Sequence, residues 1–306
     1  MRFMKNVLVI GGTGLIGRHL AKYLKQKNYN VAILTRYPDL VKDFKAYKWD
    51  LKKKYIETEA ISNSHIIVYL AGENISIGRW TNFKKQKIFQ SRVQGLNVLY
   101  EYTKKFGYNV EALVSASAIG FYGTFTSEKI LDENSLPGKD FLAKVCSVWE
   151  NEAWRFENLN IKVSIARTGI VLAPDGGIVK RLYPIAKLGL LSPLGTGKQY
   201  FPWIHIEDLV KIYLWMIEEQ LQGVYNAVAP EYINSEDFVH AYMKAMNKKV
   251  IMPNIPNFIL KIIFGQKSSI MLYGTRISAQ KLINHGFKFS YENIYQAMKE
   301  LLKTIH

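Results

Sequence analysis

An unbroken apolar run, Val7-Leu8-Val9-Ile10, opens the patterned part of the chain, and Ile16, Leu20 and Leu24 follow at helical spacing. Such a run reads as a strand buried on both faces, and the spacing after it as a helix with one apolar face. The alternation continues. Val31-Ala32-Ile33-Leu34-Thr35, His65-Ile66-Ile67-Val68-Tyr69-Leu70, Ala112-Leu113-Val114-Ser115 and Val163-Ser164-Ile165-Ala166-Arg167 read as strands, with long helical patterns over 83–106 and 141–159. Strands alternating with helices imply a parallel sheet covered on both faces. After Gly169 the pattern loosens: turns at Pro174-Asp175-Gly176-Gly177 and Pro193-Leu194-Gly195-Thr196-Gly197 are followed by helical patterns over 208–219, 235–246 and 278–285.

Between the first strand and the first helix lies Gly11-Gly12-Thr13-Gly14-Leu15-Ile16-Gly17. A tight glycine turn lets backbone approach a pyrophosphate closely and aims a helix N-terminus at its charge. The strand before and the helix after make the motif specific for a dinucleotide. The expected fold is therefore α/β: a Rossmann-type doubly wound parallel sheet with a smaller C-terminal α/β substrate-capping domain. Residues 1–169 form the nucleotide domain and 170–306 the cap, with a later strand free to rejoin the main sheet and a ligand cleft between the halves.

The second strand ends in Thr35-Arg36, where an acid that reads the ribose 2′-hydroxyl of NAD is usual. Arg36 lies roughly 20 residues past Gly17, the expected spacing for the ribose-reading position. A guanidinium suits a 2′-phosphate, so the expected cofactor is NADP(H). Alternatively Arg36 stacks on adenine or stands as a solvated charge. Arg18, at the helix start, offers a second positive charge. Asp50 either meets the adenine edge or is an ordinary turn aspartate.

With 306 residues, 48% of them hydrophobic, the chain can bury a full core. A single cysteine, Cys146, excludes an intrachain disulfide and fits a reducing compartment. No apolar run is long enough to span a bilayer. The basic start at 1–5 leads into only four apolar residues before the glycine turn, which does not make a signal peptide. A cytoplasmic protein with no membrane partner is expected. The net charge of +16 is spread over short lysine clusters, without a nucleic-acid motif, so it reads as a solvated surface; nucleic-acid binding that weakens with salt is the rival. The six histidines show no metal-ligand spacing and the lone cysteine completes no thiolate set, so no metal is expected.

Several longer stretches resemble the extended short-chain dehydrogenase/reductase superfamily. They are Tyr69-Leu70-Ala71-Gly72, Ser115-Ala116-Ser117 with Tyr122-Gly123, Arg167-Thr168-Gly169-Ile170-Val171, and Trp203-Ile204-His205-Ile206-Glu207-Asp208. More narrowly, Ala71-Gly72-Glu73-Asn74-Ile75, Gly78-Arg79-Trp80, Ser91-Arg92, Phe121-Tyr122-Gly123, Val145-Cys146 with Trp149-Glu150, and Pro174-Asp175-Gly176-Gly177 resemble its atypical branch, the YfcH-like epimerase family proteins. The tail, with Pro253, Pro256, Gly265 and Gly286-Phe287-Lys288-Phe289, is similar to that branch's C-terminal domain of unknown function. The glycine motif and the resemblance together assign the cofactor to Gly11, Thr13, Gly14, Leu15, Ile16 and Gly17, to Arg36 and Asp50, to Leu70, Ala71 and Gly72, and to Ser115, Arg167 and Gly169.

The resemblance also implies a Tyr-x-x-x-Lys pair, the tyrosine moving the alcohol proton and the lysine lowering its pKa. Here Phe141 and Val145 stand in those places; Phe141 has no proton to move, and Lys144 is rotated about 100° around the helix. Tyr23/Lys27, Tyr100/Lys104 and Tyr183/Lys187 have the spacing but lie on the wrong segments. Ser117 is the candidate for bonding a substrate oxygen, or else a strand-end cap. Tyr122 is the nearest phenol, either a substitute acid/base or an aromatic wall. Arg79, Trp80 and Arg92 are candidates for an anionic or planar substrate group, or else surface residues. Gln199, Trp203 and His205 complete the expected substrate site, with a structural cap involving Asp208 as the alternative for His205. Two functions follow: an NADP(H)-dependent oxidoreductase or epimerase-like enzyme acting on a small carbonyl or alcohol, or a non-catalytic NADP(H) sensor or scaffold.

Overall fold

The computed structural model describes residues 5–305. The basic start, apart from Lys5, and His306 lie outside the described residues. The first apolar run forms β1 (Asn6–Ile10), and α1 (Leu15–Gln26) follows the glycine turn. In chain order come β2 (Asn30–Thr35), β3 (Lys45–Asp50), β4 (Tyr55–Ile56), α2 (Thr58–Ser62), β5 (Ile66–Tyr69), α3 (Asn82–Phe106), β6 (Ala112–Ala118), β7 (Ser127–Leu131), α4 (Phe141–Trp154), β8 (Lys162–Thr168) and β9 (Ile170–Ala173). The second half adds α5 (Gly177–Lys187), β10 (Trp203–His205), α6 (Ile206–Glu218), β11 (Gly223–Ala227), α7 (Ser235–Ala245), α8 (Asn257–Phe264), α9 (Ser269–Leu272), β12 (Thr275–Ile277), α10 (Gln280–Asn284) and α11 (Ile294–Lys303).

The main sheet has the order β11-β8-β6-β5-β1-β2-β3-β4, parallel throughout except for the edge pair β3–β4. From β1 the chain winds outward through β2 and β3, then returns to β5 and winds the other way. The reversal leaves a crevice at the carboxyl ends of β1 and β5, where ligands of such sheets sit.

Alternation along β1 feeds two cores. Val7 and Val9 pack with Leu20 and Leu24 of α1 and with Leu209 and Tyr213 of α6. Leu8 and Ile10 pack with Leu96 and Leu99 of α3 and with Trp149 of α4. A third core, around Trp203, Phe238, Tyr242, Met298 and Leu301, holds α5, α7 and α11 to the strand pair β9–β10. The sequence position 169/170 falls between β8 and β9. Beyond it, α6 covers one face of the main sheet and β11 pairs with β8. The helical pattern over 141–159 is an α-helix to Trp154 and a tighter 3-10 turn from Arg155 to Leu159. Among the described residues no helix is long and apolar enough to cross a membrane.

The contact of α1 with β1 depends on Gly17. A Cβ there would lie 2.3 Å from the Gly11 carbonyl oxygen and 2.6 Å from Gly12 Cα. Gly17→Ala is therefore expected to push the helix off the turn and cost about 1–3 kcal/mol, as overpacking does. Urea denaturation measures the loss.

Candidate dinucleotide crevice and substrate cavity

The crevice is bounded by backbone. Gly11 takes a φ of +85°, and a Cβ there would lie 2.9 Å from Ala71 N and from Leu70 C. The Leu70 N–H donates to the Ile10 carbonyl at 2.8 Å, so the chain leaving β5 runs beside the glycine turn through Leu70, Ala71 and Gly72. Gly14 is the N-cap of α1; no side chain caps that helix and its first turn carries no acid. Thr13 and Gly14 are exposed, with Leu15 and Ile16 half-buried behind them. The amides that begin α1 thus face the crevice with positive polarity and no internal acceptor on the cap. A pyrophosphate fits this cradle, because the glycines remove the side chains that would hold it off.

Arg36 is exposed immediately beyond β2, its guanidinium 5.7 Å from the Tyr37 ring, and makes no salt bridge among the described residues. Arg18 is engaged elsewhere: it bonds Asp175 at 3.0 Å, and His19 bonds the same carboxylate at 2.9 Å. Burial opposes the charge on Asp175, but His19 and Arg18 hold its carboxyl below the usual range. The Pro174-Asp175-Gly176-Gly177 turn is thereby docked on α1, with Gly176 so close to Leu15 that a Cβ would sit 2.7 Å from its Cδ1. Asp50 accepts from the Lys52 and Lys53 amides at 2.9 and 3.3 Å, a turn of its own making.

Beyond the crevice, β6 and β8 end in a buried polar network. The Ser117 hydroxyl donates to Glu150 Oε1 at 2.6 Å. Glu150 also receives the Arg167 fork, Nε at 2.9 Å and Nη2 at 2.8 Å. Arg167 Nη1 donates to the Tyr122 hydroxyl at 3.1 Å, which in turn donates to Asn226 Oδ1 at 2.6 Å. The Arg167 guanidinium lies 3.3 Å from the Phe121 ring centre. Both members of the ion pair are only 4% exposed. Burial pushes the Tyr122 hydroxyl up to about 12. Ser117, Tyr122 and Arg167, three candidates for chemistry or cofactor contact, are thus brought together, but inside the protein and linked through Glu150 and Asn226. Ser115 is buried beside them, its hydroxyl on the Ala116 carbonyl at 3.1 Å. Gly169 allows the chain to cross Pro202, whose carbonyl oxygen would lie 2.7 Å from a Cβ.

A cavity of about 580 Å³ opens where the two halves meet. Trp80, Lys85, Thr124, Asp140, Phe141 and Leu142 form one wall; Lys261, Gly265, Gln266, Ser268, Ser269, Leu272 and Tyr273 form the other. Trp80 is pinned by its indole N–H on the Ile75 carbonyl at 2.9 Å and meets Phe141 edge-on at 5.7 Å. Lys85 lies over the Phe141 ring at 5.2 Å. Asp140 is consumed locally: it caps α4 through the Ala143 amide at 2.9 Å and accepts from the Thr124 amide and hydroxyl at 2.6 and 2.7 Å. Arg79 braces the rim, donating to the Ile262 carbonyl at 3.2 Å.

Comparison with known proteins agrees with this architecture. Residues 7–227 match the model of the NAD dependent epimerase/dehydratase family, and residues 255–301 match a domain of unknown function, DUF1731. The chain belongs to the NAD dependent epimerase/dehydratase family. An epimerase family protein of Staphylococcus aureus is 31% identical over 304 residues, which cover 98% of this chain and 100% of that protein. A chloroplastic SDR39U1 homolog of Arabidopsis thaliana is 32% identical over 305 residues, covering 97% of this chain and 86% of that protein. The crystal structure of human epimerase family protein SDR39U1 with NADPH superposes with a TM-score of 0.86 at 27% identity, covering 98% of this chain and 99% of that one.

In this epimerase/dehydratase family member, Phe141 faces the cavity from the first turn of α4. Lys85, Lys261, Gln266, Ser268, Ser269 and Tyr273 also line the cavity, and the sequence patterns did not single them out as site residues. The last five belong to the segment matched by DUF1731, whose irregular short helices carry no chemical motif. Glu150 did leave a signal, a lone acid on an otherwise apolar helical face.

The expected substrate residues of the second half lie elsewhere. Gln199 is buried and ties the Leu194 and Met271 carbonyls together, at 2.9 Å each. Trp203 is fully buried in the third core. His205 is 2% exposed, stacks on Tyr291 with ring centres 3.7 Å apart, and caps α6 by accepting the Glu207 amide at 3.2 Å. None of the three lines the cavity between the halves; each keeps one buried polar atom without a partner among the described residues, Gln199 Oε1, Trp203 Nε1 and His205 Nε2. Asp208 is buried too and accepts the Ser290 and Tyr291 amides at 2.9 Å each. Among the described residues no group of three or more His, Cys, Asp or Glu is placed to hold a metal ion.

Two outcomes are expected. Glu150→Gln leaves Arg167 buried without a counter-charge and should cost about 3–5 kcal/mol in urea denaturation, while Glu150→Leu with Arg167→Met should recover much of it. Burial, then Lys211 and His19, lower the His205 pKa from 6.5 to about 3. The unfolded chain protonates first, so this contribution to stability is complete above pH 6.5 and is lost as pH falls toward about 3. Thermal melts should therefore decline on acidification through that window, and less steeply in His205→Asn, which keeps a capping group but does not titrate.

Proposed function

We propose that the protein is an NADP(H)-dependent oxidoreductase or epimerase-like enzyme that handles a small carbonyl or alcohol compound in the cavity between its halves. The observation that carries this reading is the crevice itself: a glycine cradle below the uncapped start of α1, with an unpaired Arg36 at the end of β2. The NADPH held by the similar human protein supports the same choice of cofactor. Gly11, Gly14 and Gly17 would admit the pyrophosphate to the α1 amides, Leu70 to Gly72 would form the opposite wall, and Arg36 would meet the 2′-phosphate. When bound, the nicotinamide supplies hydride chemistry at the cavity side of the crevice.

The protein's own part is to position, to exclude water and to move a proton. Phe141 and Val145 move none, and the Ser117 and Tyr122 hydroxyls are committed to Glu150 and Asn226. Proton transfer therefore falls to water or to a cavity group such as Tyr273 or Ser269, since the Ser268 hydroxyl is held by the Gly265 carbonyl. The aromatic pair Trp80–Phe141 offers a planar substrate a surface, and Lys85 and Lys261 favour one with negative charge.

A second reading, a non-catalytic NADP(H) sensor or scaffold, is favoured by Phe141 and Val145 alone. Incubation with deuterated NADPH and a panel of carbonyl compounds separates the two, since only an enzyme passes the label on.

The first experiment is parallel titration with NADPH and NADH, followed by nicotinamide fluorescence and calorimetry. Strong preference for NADPH is expected. Arg36→Asp should raise the Kd for NADPH by about tenfold or more, the loss of a charge-assisted contact, and change that for NADH far less. Equal losses for both cofactors would remove Arg36 from the site.

A further inference from the structure

The crevice carries a second guanidinium, beneath the chain that leaves β5. Arg92 reaches up from α3 beneath Gly72, where a Cβ would lie 3.0 Å from both its Cζ and its Nη2. Its Nη1 donates to the Glu73 and Ile88 carbonyls at 3.1 and 3.2 Å. Its planar face lies 5.2 Å from the Trp149 ring centre. Among the described residues neither Nε nor Nη2 has an acceptor, and no carboxylate pairs with the group. The nearby Glu73 carboxylate is taken by Lys84. Burial lowers the pKa of Arg92 from its ordinary value. A half-buried guanidinium with two donor sites that have no protein acceptor and no counter-charge is poised to receive an incoming oxygen ligand.

Topology says which oxygen. The start of α1 fixes the phosphates at the centre of the crevice. Arg36 stands on the β2 side of β1, which assigns that side to the adenosine end. Gly72 follows β5, on the opposite side of β1. We propose that Arg92 binds the nicotinamide-bearing half of the dinucleotide, its Nε and Nη2 donating to ribose hydroxyl or adjoining phosphate oxygens. The inference rests on the cofactor reading above. It also explains how α4 functions without a lysine at position 145. Arg92 supplies a cation to the same helix from α3, stacked on Trp149, one turn along from Val145. A side chain at Gly72 would press on the guanidinium, which would have to give by a few tenths of an ångström.

The test compares NADPH with adenosine 2′,5′-bisphosphate, which carries the adenosine end and no nicotinamide half. Wild-type protein, Arg92→Gln and Arg92→Lys are titrated with each by calorimetry, with thermal melts alongside. Arg92→Gln is expected to weaken NADPH by about tenfold or more and to leave the bisphosphate within about twofold. Arg92→Lys keeps the charge but not the fork, and should show a smaller loss confined to NADPH. It decides the matter if the glutamine variant does not fold. Equal weakening of both ligands would overturn the assignment in favour of a loop-holding role, and unchanged NADPH binding would overturn it outright. Wild-type protein that binds neither ligand would overturn the cofactor reading, and this inference with it.

Discussion

At the centre of the molecule three backbones pass within van der Waals contact of one another. The glycine turn lies against the chain leaving β5, and the start of α1 lies against the same turn. Cβ positions at Gly11 and Gly17 would overlap neighbouring backbone at 2.9 and 2.3 Å. Since no side chain fits between these segments, the crevice is lined by amides and its polarity is set by the direction of α1. The outward winding of the sheet to either side of β1 then fixes which residues reach the crevice: Arg36 from one side and Gly72 with Arg92 from the other.

A second constraint lies where β6, β8 and β11 end together. The Arg167–Glu150 pair is out of water and is compensated because Ser117, Tyr122, Asn226 and the Glu133 carbonyl complete its hydrogen bonds. Asn226 also receives the network's extension from the second half, donating to the Ser278 carbonyl at 3.1 Å. The network therefore joins the nucleotide half to the strand pair β7–β12, and through it to the segment that lines the cavity. Polar residues that would look reactive in sequence act here as the fastening between two layers. Their satisfaction rigidifies the junction between the layers.

The cavity is a property of neither half. Phe141 and Trp80 come from the nucleotide half, and Lys261, Ser268, Ser269 and Tyr273 from the tail. Burying their stems requires that α8 and α9 dock over the N-terminus of α4, with Arg79 holding the Ile262 carbonyl. The domain that lacks an assigned function is thus, in structural terms, the outer wall of the cavity.

The main sheet was legible because its buried strands are continuous apolar runs and its helices have one apolar face, signals that local sequence carries by itself. The glycine cradle was legible for the same reason: each glycine answers a local steric demand within a dozen residues. β3 was not, because Lys45-Ala46-Tyr47-Lys48-Trp49-Asp50 alternates lysine with aromatics and shows its strand character only beside β2. Nor were the fates of Ser117, Tyr122, Arg167 and His205. A hydroxyl or a guanidinium has the same letter whether it faces a ligand or a buried carboxylate. Which one it meets depends on Glu150, Asn226 and Tyr291, between 33 and 104 positions away along the chain for the two hydroxyls. Sequence alone determined the fold class and the glycine turn, because those depend on side-chain volume and local spacing, while the family resemblance marked the missing tyrosine–lysine pair. Tertiary structure decided which polar groups remain free for a ligand, because that depends on who has already paired with whom across the packed layers.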